Sequence, residues 1–444
     1  MSTATQIGAA LASGATSAVE VTETALQEAA TQAHLNAFIT MLPDRALTAA
    51  RASDVRRRAG QQRGALDGVP FAVKDNIAVA GVATTDGTRA FRDRIAAADA
   101  TVITRLEQAG AILIGTLNMH EGALGATTDN PFWGRCDNPA APGHTPGGSS
   151  GGSAAAIAAG IVPLTLGTDT MGSVRIPAAY CGLWGLKPTR GLIPVTGLSH
   201  LSWTLDSIGP IAATADDLAM ALAVLAGFDG ADNTSEPLPP GWEADGRASD
   251  LAGVTLGLPD YTSLTSCDLR VTQAFARLVD RARDAGAVIR PLSIAHWTPD
   301  ILRRAGLLVT EAECGHLIGA TLDAEPEGFS DGFRGAINYG RHAQGARIAA
   351  AYRIIAQAGS GARRALEGID AILLPTAPQP AFPHGTPAPV NQADFTAPAN
   401  AAGLPAIAFP LPSSDLPLSV QLIGPAFSEG RLISLARALT SEVS

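Results

Sequence analysis

The sequence predicts an α/β protein, because segments with helical periodicity alternate with short apolar runs that are typical of buried strands. Residues 66–79 contain one such run and predict a strand that enters a loop. Residues 99–117 predict a helix followed by a buried strand over 111–115. A repeated order of helix and strand is the order that builds a sheet with helices packed against it.

The other elements follow from local patterns. Residues from about 17 to 60 are helical in pattern, with a capping box at Ser17 and Glu20. The small-residue stretch 153–167 is interrupted by a glycine and a proline, so it predicts a buried helix and a strand, since a membrane span needs about 20 apolar residues. Further patterns predict strands at 253–259, in AVIRPL, at 371–378 and at 417–424, and helices around 270–285, from about 298 to 366, and over 428–443.

Composition limits the class of protein. The 444 residues are 46% apolar and 16% charged, which favours a compact globular chain. The net charge of −10 and the scattered basic residues argue against a surface for duplex nucleic acid. The four cysteines are widely spaced and form no zinc or disulfide pattern, and the N-terminal sequence lacks the features of a signal peptide. We therefore expect buried thiols and a cytoplasmic location.

Two stretches are rich in residues that favour loops. The segment 139–153 lies between well-patterned elements, so a linker explains it poorly. The segment 227–250 has little pattern and predicts a surface excursion within one domain, with a domain boundary there as the alternative.

Three motifs combine a reactive side chain with backbone that glycine or proline shapes. They are PFAVKDN with Lys74, GGSSGGS at 147–153, and GTDTMGSVRIP at 167–177 with Ser173. Singly, a Gly/Ser-rich loop is more often a flexible connection, and a lysine after a strand is more often a solvated surface residue. Together the three motifs form a candidate nucleophile set.

Two competing interpretations of the 147–153 loop fail. A phosphate-binding loop needs a lysine that this loop lacks. Gly148, Ser150 and Gly152 match a nucleophile elbow formally, but the proline-rich lead-in cannot supply the strand that an elbow follows. Ser173 does follow a predicted strand, at 161–167, where a sheet presents catalytic groups.

The turn that contains Ser173 offers consecutive backbone N–H groups, and such a nest can bind the oxyanion of a tetrahedral intermediate. Asp169 and Arg175 flank the turn, and we interpret them as an ion pair that braces it. The predicted donors of the oxyanion hole are the N–H groups of Thr170, Met171, Gly172 and Ser173.

These residues resemble the amidase signature family, whose pattern is a GGSSGGS loop, a GTDxGGSxRxP segment and a strand-borne lysine about seventy-five residues upstream. The resemblance continues through 177–191, 202–210, 398–410 and 418–425, and so spans nearly the whole chain. It implies one amidase domain over 1–444, with a large mixed central sheet covered by helices on both faces. It also implies Ser173 as nucleophile, Ser149 as the relay serine next to a cis peptide bond, and Lys74 as base, with no cofactor and no metal.

Physical chemistry is consistent with these implied roles. A serine hydroxyl needs a base within hydrogen-bond reach, and a lysine accepts a proton only when it is neutral. Burial must therefore lower the pKa of Lys74 from about 10.4 towards roughly 7–8. Histidine is the rival base, and His120 in NMHEGALG is the one to test, although a structural role is the more common one for such a residue.

The sequence departs from the family pattern at Met171, where glycine is usual, and at Gly122, where a bulky apolar residue is common. With Met119 and His120, these two residues are the candidates for the substrate pocket, which we expect to be rather apolar. We therefore expect cleavage of a small alkyl or aryl amide by a serine acyl-enzyme route.

Three alternatives to this activity stay open. One is a hydrolase of carbamate, biuret-like or allophanate-like substrates. Another is the transamidating subunit of a tRNA-dependent amidotransferase, which would need partner subunits and ATP. The third is a non-catalytic scaffold subunit. For partners, we expect a small-molecule amide and water, no nucleic acid and no membrane, and we leave a homodimer open.

Overall fold

The computed structural model describes residues 2–246 and 250–441. In chain order the helices are α1 (Ala4–Ser13), α2 (Ala18–Thr31), α3 (Pro43–Arg58), α4 (Thr101–Gln108), α5 (Gly151–Ala158), α6 (Arg175–Tyr180), α7 (Ala215–Leu225), α8 (Leu269–Asp284), α9 (Pro299–Ala324), α10 (Asp331–Arg341), α11 (Gly345–Ala365), α12 (Ala397–Ala402) and α13 (Glu429–Ser441). The strands are β1 (Phe38–Met41), β2 (Pro70–Lys74), β3 (Ile112–Leu117), β4 (Asp129–Asn130), β5 (Gly134–Arg135), β6 (Leu164–Asp169), β7 (Trp184–Lys187), β8 (Ser207–Ala212), β9 (Thr255–Pro259), β10 (Val288–Leu292), β11 (Ala371–Pro375), β12 (Ala406–Leu411) and β13 (Leu418–Ile423).

Eleven of these strands form one mixed sheet in the order β1-β3-β2-β6-β8-β7-β12-β13-β11-β9-β10, and β4 pairs with β5 separately. Alternate residues of β2 belong to different hydrophobic clusters, Phe71 and Val73 to one and Ala72 to the other. Because successive side chains of a strand point to opposite faces, apolar layers cover both faces of the sheet. The predicted α/β fold with a large mixed central sheet is confirmed.

The centre of the sheet brings two of the sequence motifs together. β2 lies between β3 and β6 and is parallel to both, with Val73 opposite Leu166 on β6. Parallel neighbours end at the same edge of a sheet. Lys74, the last residue of β2, and Asp169, the last residue of β6, therefore leave the sheet side by side.

The GGSSGGS loop reaches the same edge through a close helix contact. α5 starts inside this loop, and its residues 151–157 are buried. A side chain at Gly152 would clash with the carbonyl oxygen of Asn118, just beyond β3. Glycine there lets the N-terminal end of α5 lie directly against the sheet, which places the preceding serines beside Lys74.

Several boundaries differ from the sequence prediction. Residues 17–60 form α2 and α3 with the edge strand β1 between them, and 298–366 contain three helices instead of one. β1 has only four residues and pairs with β3 alone, so its pattern was too short to detect. The capping box of Ser17 and Glu20 is confirmed at the start of α2.

Two predictions extend beyond the described residues. Part of the proposed excursion, 247–249, and the end of the closing helix, 442–443, lie outside them. Residues 226–246 form neither helix nor strand. The organisation of 1–444 as one domain with a surface excursion stays a prediction.

No helix in the described residues combines the length and the apolar content needed to cross a membrane. The four cysteines carry free thiols, and Cys136, Cys181 and Cys314 are buried as expected. Cys267 differs, because it is partly exposed.

Candidate active site

The predicted base and relay are in direct contact. Lys74 is fully buried, and its Nζ lies 2.7 Å from Ser149 Oγ and 2.7 Å from Thr168 Oγ1. Ser149 follows a cis Gly148–Ser149 peptide bond and is 1% exposed. Two hydroxyl groups thus fix the position of the lysine nitrogen, and one of them belongs to the predicted relay serine.

Burial makes Lys74 chemically unusual. It lowers the pKa of Lys74 from 10.5 to about 7. The carboxylates of Asp206, Asp169 and Asp86 act in the opposite direction, but burial dominates. A large fraction of Lys74 is therefore neutral near pH 7, the state in which an amine accepts a proton.

Ser173 lies in the turn between β6 and α6 and lines a chamber of about 180 Å³ together with Gly148 and Met171. The backbone N–H of Ser150 donates to the carbonyl oxygen of Ser173 at 3.3 Å, so the two serine loops are joined. Ser173 faces the chamber, whereas Ser149 and Lys74 are buried. The three predicted catalytic residues are thus grouped, with Ser173 accessible to a substrate.

The backbone of this turn narrows the set of oxyanion donors. The N–H of Gly172 donates to Asp169 Oδ1 at 2.7 Å. That N–H is therefore already used and cannot serve an oxyanion without breaking this bond. Of the predicted donors, Thr170, Met171 and Ser173 remain, and we propose that these three N–H groups form the hole.

Asp169 and Arg175 form the bracing pair that the sequence indicated. Both side chains are fully buried, and the guanidinium donates two hydrogen bonds of 3.0 Å to the carboxylate. Burial alone would raise the pKa of Asp169, but the charge of Arg175 holds it at about 2. Arg175 also donates to Gln421, to Asn400 and to the backbone oxygen of Thr396. The nucleophile turn is therefore tied to the C-terminal part of the sheet.

Two of the four pocket candidates lie away from the chamber. Met119 is fully buried in a hydrophobic cluster that includes Phe329. Gly122 has a φ of 57°, and a side chain there would clash with the ring of Phe333. The space expected from the missing side chain at Gly122 is thus filled by Phe333. Met171 does line the chamber.

His120 supports the relay loop instead of acting on it as a base. Its backbone N–H donates to the carbonyl oxygen of Ser149 at 3.0 Å, and its ring Nδ1 lies 3.2 Å from Thr127 Oγ1. The ring borders a neighbouring space of about 490 Å³, not the chamber of Ser173. Burial lowers the pKa of His120 to about 4, so its ring is neutral at physiological pH.

The pH dependence of kcat/KM tests which residue is the base. With Lys74 as base, activity depends on the neutral amine, so kcat/KM should rise through a pKa of about 7 and stay high in mildly alkaline buffer. We expect His120→Ala to keep this limb, because the pKa of His120 lies near 4. A limb near pH 6.5 that disappears in His120→Ala would show that histidine is the base.

Sequence reasoning missed four residues of the site. Thr168 lies inside the recognised motif, yet its hydroxyl contact with Lys74 could not be inferred. Asp206 lies in the stretch 202–210 and accepts a 2.6 Å hydrogen bond from the hydroxyl of Thr170, which fixes the oxyanion turn. Arg303 lines the chamber and forms an ion pair with Asp394. Arg303 sits in no motif, and Asp394 directly precedes the recognised stretch 398–410.

Comparison with known proteins agrees with this geometry. A protein-family model described as Amidase matches residues 20–433. The chain belongs to the amidase signature family. The family enzymes act on amide C–N bonds, by hydrolysis or by amide transfer.

Three relatives of this amidase signature protein place it more closely. A glutamyl-tRNA(Gln) amidotransferase subunit of Chloroflexus aurantiacus is 39% identical over 464 aligned residues, covering 98% of this chain and 95% of the relative. The structure of the corresponding subunit from Thermotoga maritima has a TM-score of 0.81 and 29% identity, over 96% and 91% of the two chains. A structure described as an s-triazine catabolic enzyme with a vestigial protein complex has a TM-score of 0.91 and 32% identity, over 100% and 99%.

These relatives correct the prediction about partners. A small-molecule substrate with no nucleic acid was expected, from the acidic charge and the scattered basic residues. That prediction is wrong, because the curated relatives are named as one subunit of an amidotransferase for glutamyl-tRNA(Gln). Net charge describes the whole surface, and it does not report a partner that binds through other subunits or through a local patch.

Proposed function

We propose that this chain is the amide-cleaving subunit of a tRNA-dependent amidotransferase, and that it releases ammonia from a small carboxylate-bearing amide such as glutamine. The support is the similarity to the Chloroflexus amidotransferase subunit over 98% of the chain, together with the contents of the chamber. This proposal replaces the expected small alkyl or aryl amide as the preferred substrate.

The observation that carries the substrate class is the charged pair Arg303 and Asp394. Arg303 lines the same chamber as Ser173, and its side chain is only 12% exposed, while that of Asp394 is 3% exposed. An alkyl or aryl amide would have no use for these two charges. The α-carboxylate of an amino acid amide matches a guanidinium, and its ammonium matches a carboxylate.

The chemistry follows from the positions of the three side chains. Ser173 Oγ forms a bond to the amide carbon while its proton passes through Ser149 to neutral Lys74, and the carbonyl electron pair moves to the oxygen. The N–H groups of the turn bind that oxyanion. Ser149 then returns the proton to the amide nitrogen, the C–N bond breaks and ammonia leaves. Water attacks the acyl ester by the same route and releases the acid.

A two-part assay tests the proposal. The purified chain is supplied with glutamine, propionamide and benzamide, and ammonia release is measured for each. Co-purified partner subunits, ATP and glutamyl-tRNA(Gln) are then added, and conversion of the glutamyl group is followed. We expect glutamine to be preferred, and tRNA conversion to require this chain. Preference for the neutral amides, with no tRNA conversion, would contradict the proposal.

Arg303→Gln should weaken glutamine specifically. Losing a charge-assisted hydrogen bond to the substrate carboxylate costs roughly 1.5–3 kcal/mol, so kcat/KM for glutamine should fall about 10–150-fold. Propionamide should be affected little, because it carries no carboxylate. Arg304→Gln is the matched control, since Arg304 is the next residue of α9 but its side chain is 77% exposed. Equal losses for glutamine and propionamide would remove Arg303 from substrate recognition.

A second candidate is cleavage of a biuret-like or allophanate-like substrate. The likeness to the s-triazine catabolic enzyme, with a TM-score of 0.91 and 32% identity, favours it. Met171 lines the chamber where the family pattern has glycine, which changes the shape of the pocket beside the nucleophile. Adding biuret and allophanate to the amide series separates the two candidates, since this one requires ammonia release from them to exceed release from glutamine.

A further inference from the structure

A small cavity lies behind the catalytic lysine, between the loop that follows β2 and helices α9 and α10. We call it the Asn76–Asp86 cavity, and it offers about 10 Å³ of free volume. That is close to the roughly 10–15 Å³ that one water molecule needs. Its walls include Asn76, Asp86, Ser199, His200, Cys314 and Phe333.

Two oxygen atoms of this cavity lack partners within the described chain. Asn76 is 2% exposed and Asp86 is 7% exposed, and the Oδ1 atoms of both have no hydrogen bond. The other polar atoms of the same groups are used. Asn76 Nδ2 donates to Thr168 Oγ1 at 3.3 Å, and Asp86 Oδ2 accepts from Ser199 Oγ at 2.6 Å and pairs with Arg94 at 2.8 Å. Both Oδ1 atoms can only accept hydrogen bonds when Asp86 is ionised.

We propose that the Asn76–Asp86 cavity binds one water-sized hydrogen-bond donor, a water molecule or an ammonium ion, between Asn76 Oδ1 and Asp86 Oδ1. Buried polar atoms in native proteins are nearly always paired, and a polar space of this volume with at least two partners is a normal site for such a molecule. Both species have hydrogen atoms for two acceptors and fit the volume. Ammonium is also the form that the proposed product takes near neutral pH.

The bound molecule would extend the hydrogen-bond chain of the base. Lys74 Nζ contacts Thr168 Oγ1, and Thr168 Oγ1 accepts from Asn76 Nδ2. The donor in the cavity would link Asn76 to Asp86, whose charge also acts on Lys74. The site goes beyond the proposed function, since it lies behind Lys74 and does not depend on which amide enters the chamber of Ser173.

High-resolution crystal structures of the full chain test the proposal without any activity measurement. Crystals are grown in sodium chloride and then transferred to rubidium chloride, because rubidium resembles ammonium in size and has an anomalous signal. A density peak within hydrogen-bond distance of both Oδ1 atoms, without anomalous signal, identifies water. The same peak with anomalous signal identifies the cation site. No peak between the two oxygens in either crystal overturns the proposal.

Two variants show whether the named oxygens hold the molecule. Asn76→Leu keeps the side-chain size but removes the Oδ1 acceptor, so the peak should be lost. Arg94→Gln is the control, since Arg94 pairs with Asp86 Oδ2 and its loss leaves both Oδ1 atoms in place. An undiminished peak in Asn76→Leu, or loss of the peak in Arg94→Gln, would show that Asn76 and Asp86 are not the pair that binds it.

Discussion

Ser173→Ala is expected to lower kcat by about 10⁴-fold or more while the protein stays folded, because the substitution removes the attacking oxygen. Ser173 lies on a turn that faces the chamber, so its hydroxyl contributes little to packing. The measurement is ammonia release under saturating substrate, with circular dichroism and thermal unfolding to confirm the fold.

Ser150→Ala is the matched control for this variant. Ser150 belongs to the neighbouring loop and formally fits a nucleophile elbow, but its hydroxyl is buried and bonded at 3.2 Å to the backbone of Thr168. We expect Ser150→Ala to lose far less activity than Ser173→Ala. The reverse order, or more than about a hundredth of the rate left in Ser173→Ala, would assign the nucleophile elsewhere.

Lys74→Met should lower kcat/KM by about 10²–10⁴-fold at all pH values, because the group that accepts the serine proton is lost. Methionine has nearly the length of the lysine stem and no charge, so the buried site should tolerate it. The rise of activity through pH 7 should disappear together with the rate, since that limb reports the titration of Lys74.

The chain provides a close control in Lys187. This second lysine is also buried, and burial lowers its pKa to about 7, but its Nζ donates to the backbone oxygen of Pro188. Lys187→Met should therefore change stability more than kcat. If both variants lose activity equally, buried positive charge in general matters, and the specific contact of Lys74 with Ser149 does not explain catalysis.

The fold was predictable where patterns were long or strongly apolar. The β2 and β3 runs and the buried α5 were recognised, because each combines an apolar stretch with clear glycine or proline boundaries. β1 escaped because four residues carry too little periodicity. The order of the eleven strands could not be derived, since neighbours such as β7 and β12 are far apart in the chain.

The site was predictable as a set of motifs, but not as a substrate pocket. Lys74 and Ser149 were expected together and lie 2.7 Å apart. The acidic and basic partners Asp394 and Arg303 meet only through the tertiary fold, 91 residues apart in sequence. Gly122 misled the pocket prediction, because a missing side chain says nothing about which distant ring fills the space. Local sequence thus indicated the reaction, whereas long-range packing sets what the chamber accepts.

The bonds of Arg175 also bear on when a newly made chain becomes active. Its partners Thr396, Asn400 and Gln421 lie 221, 225 and 246 residues further along the sequence. A ribosome adds roughly 5–20 residues per second, so the nucleophile turn waits on the order of ten seconds or more for the groups that hold it. Until then the serine, the lysine and the relay are all synthesised but not braced. Activity should therefore appear at the end of synthesis, which protects a growing chain from acting before it can fold.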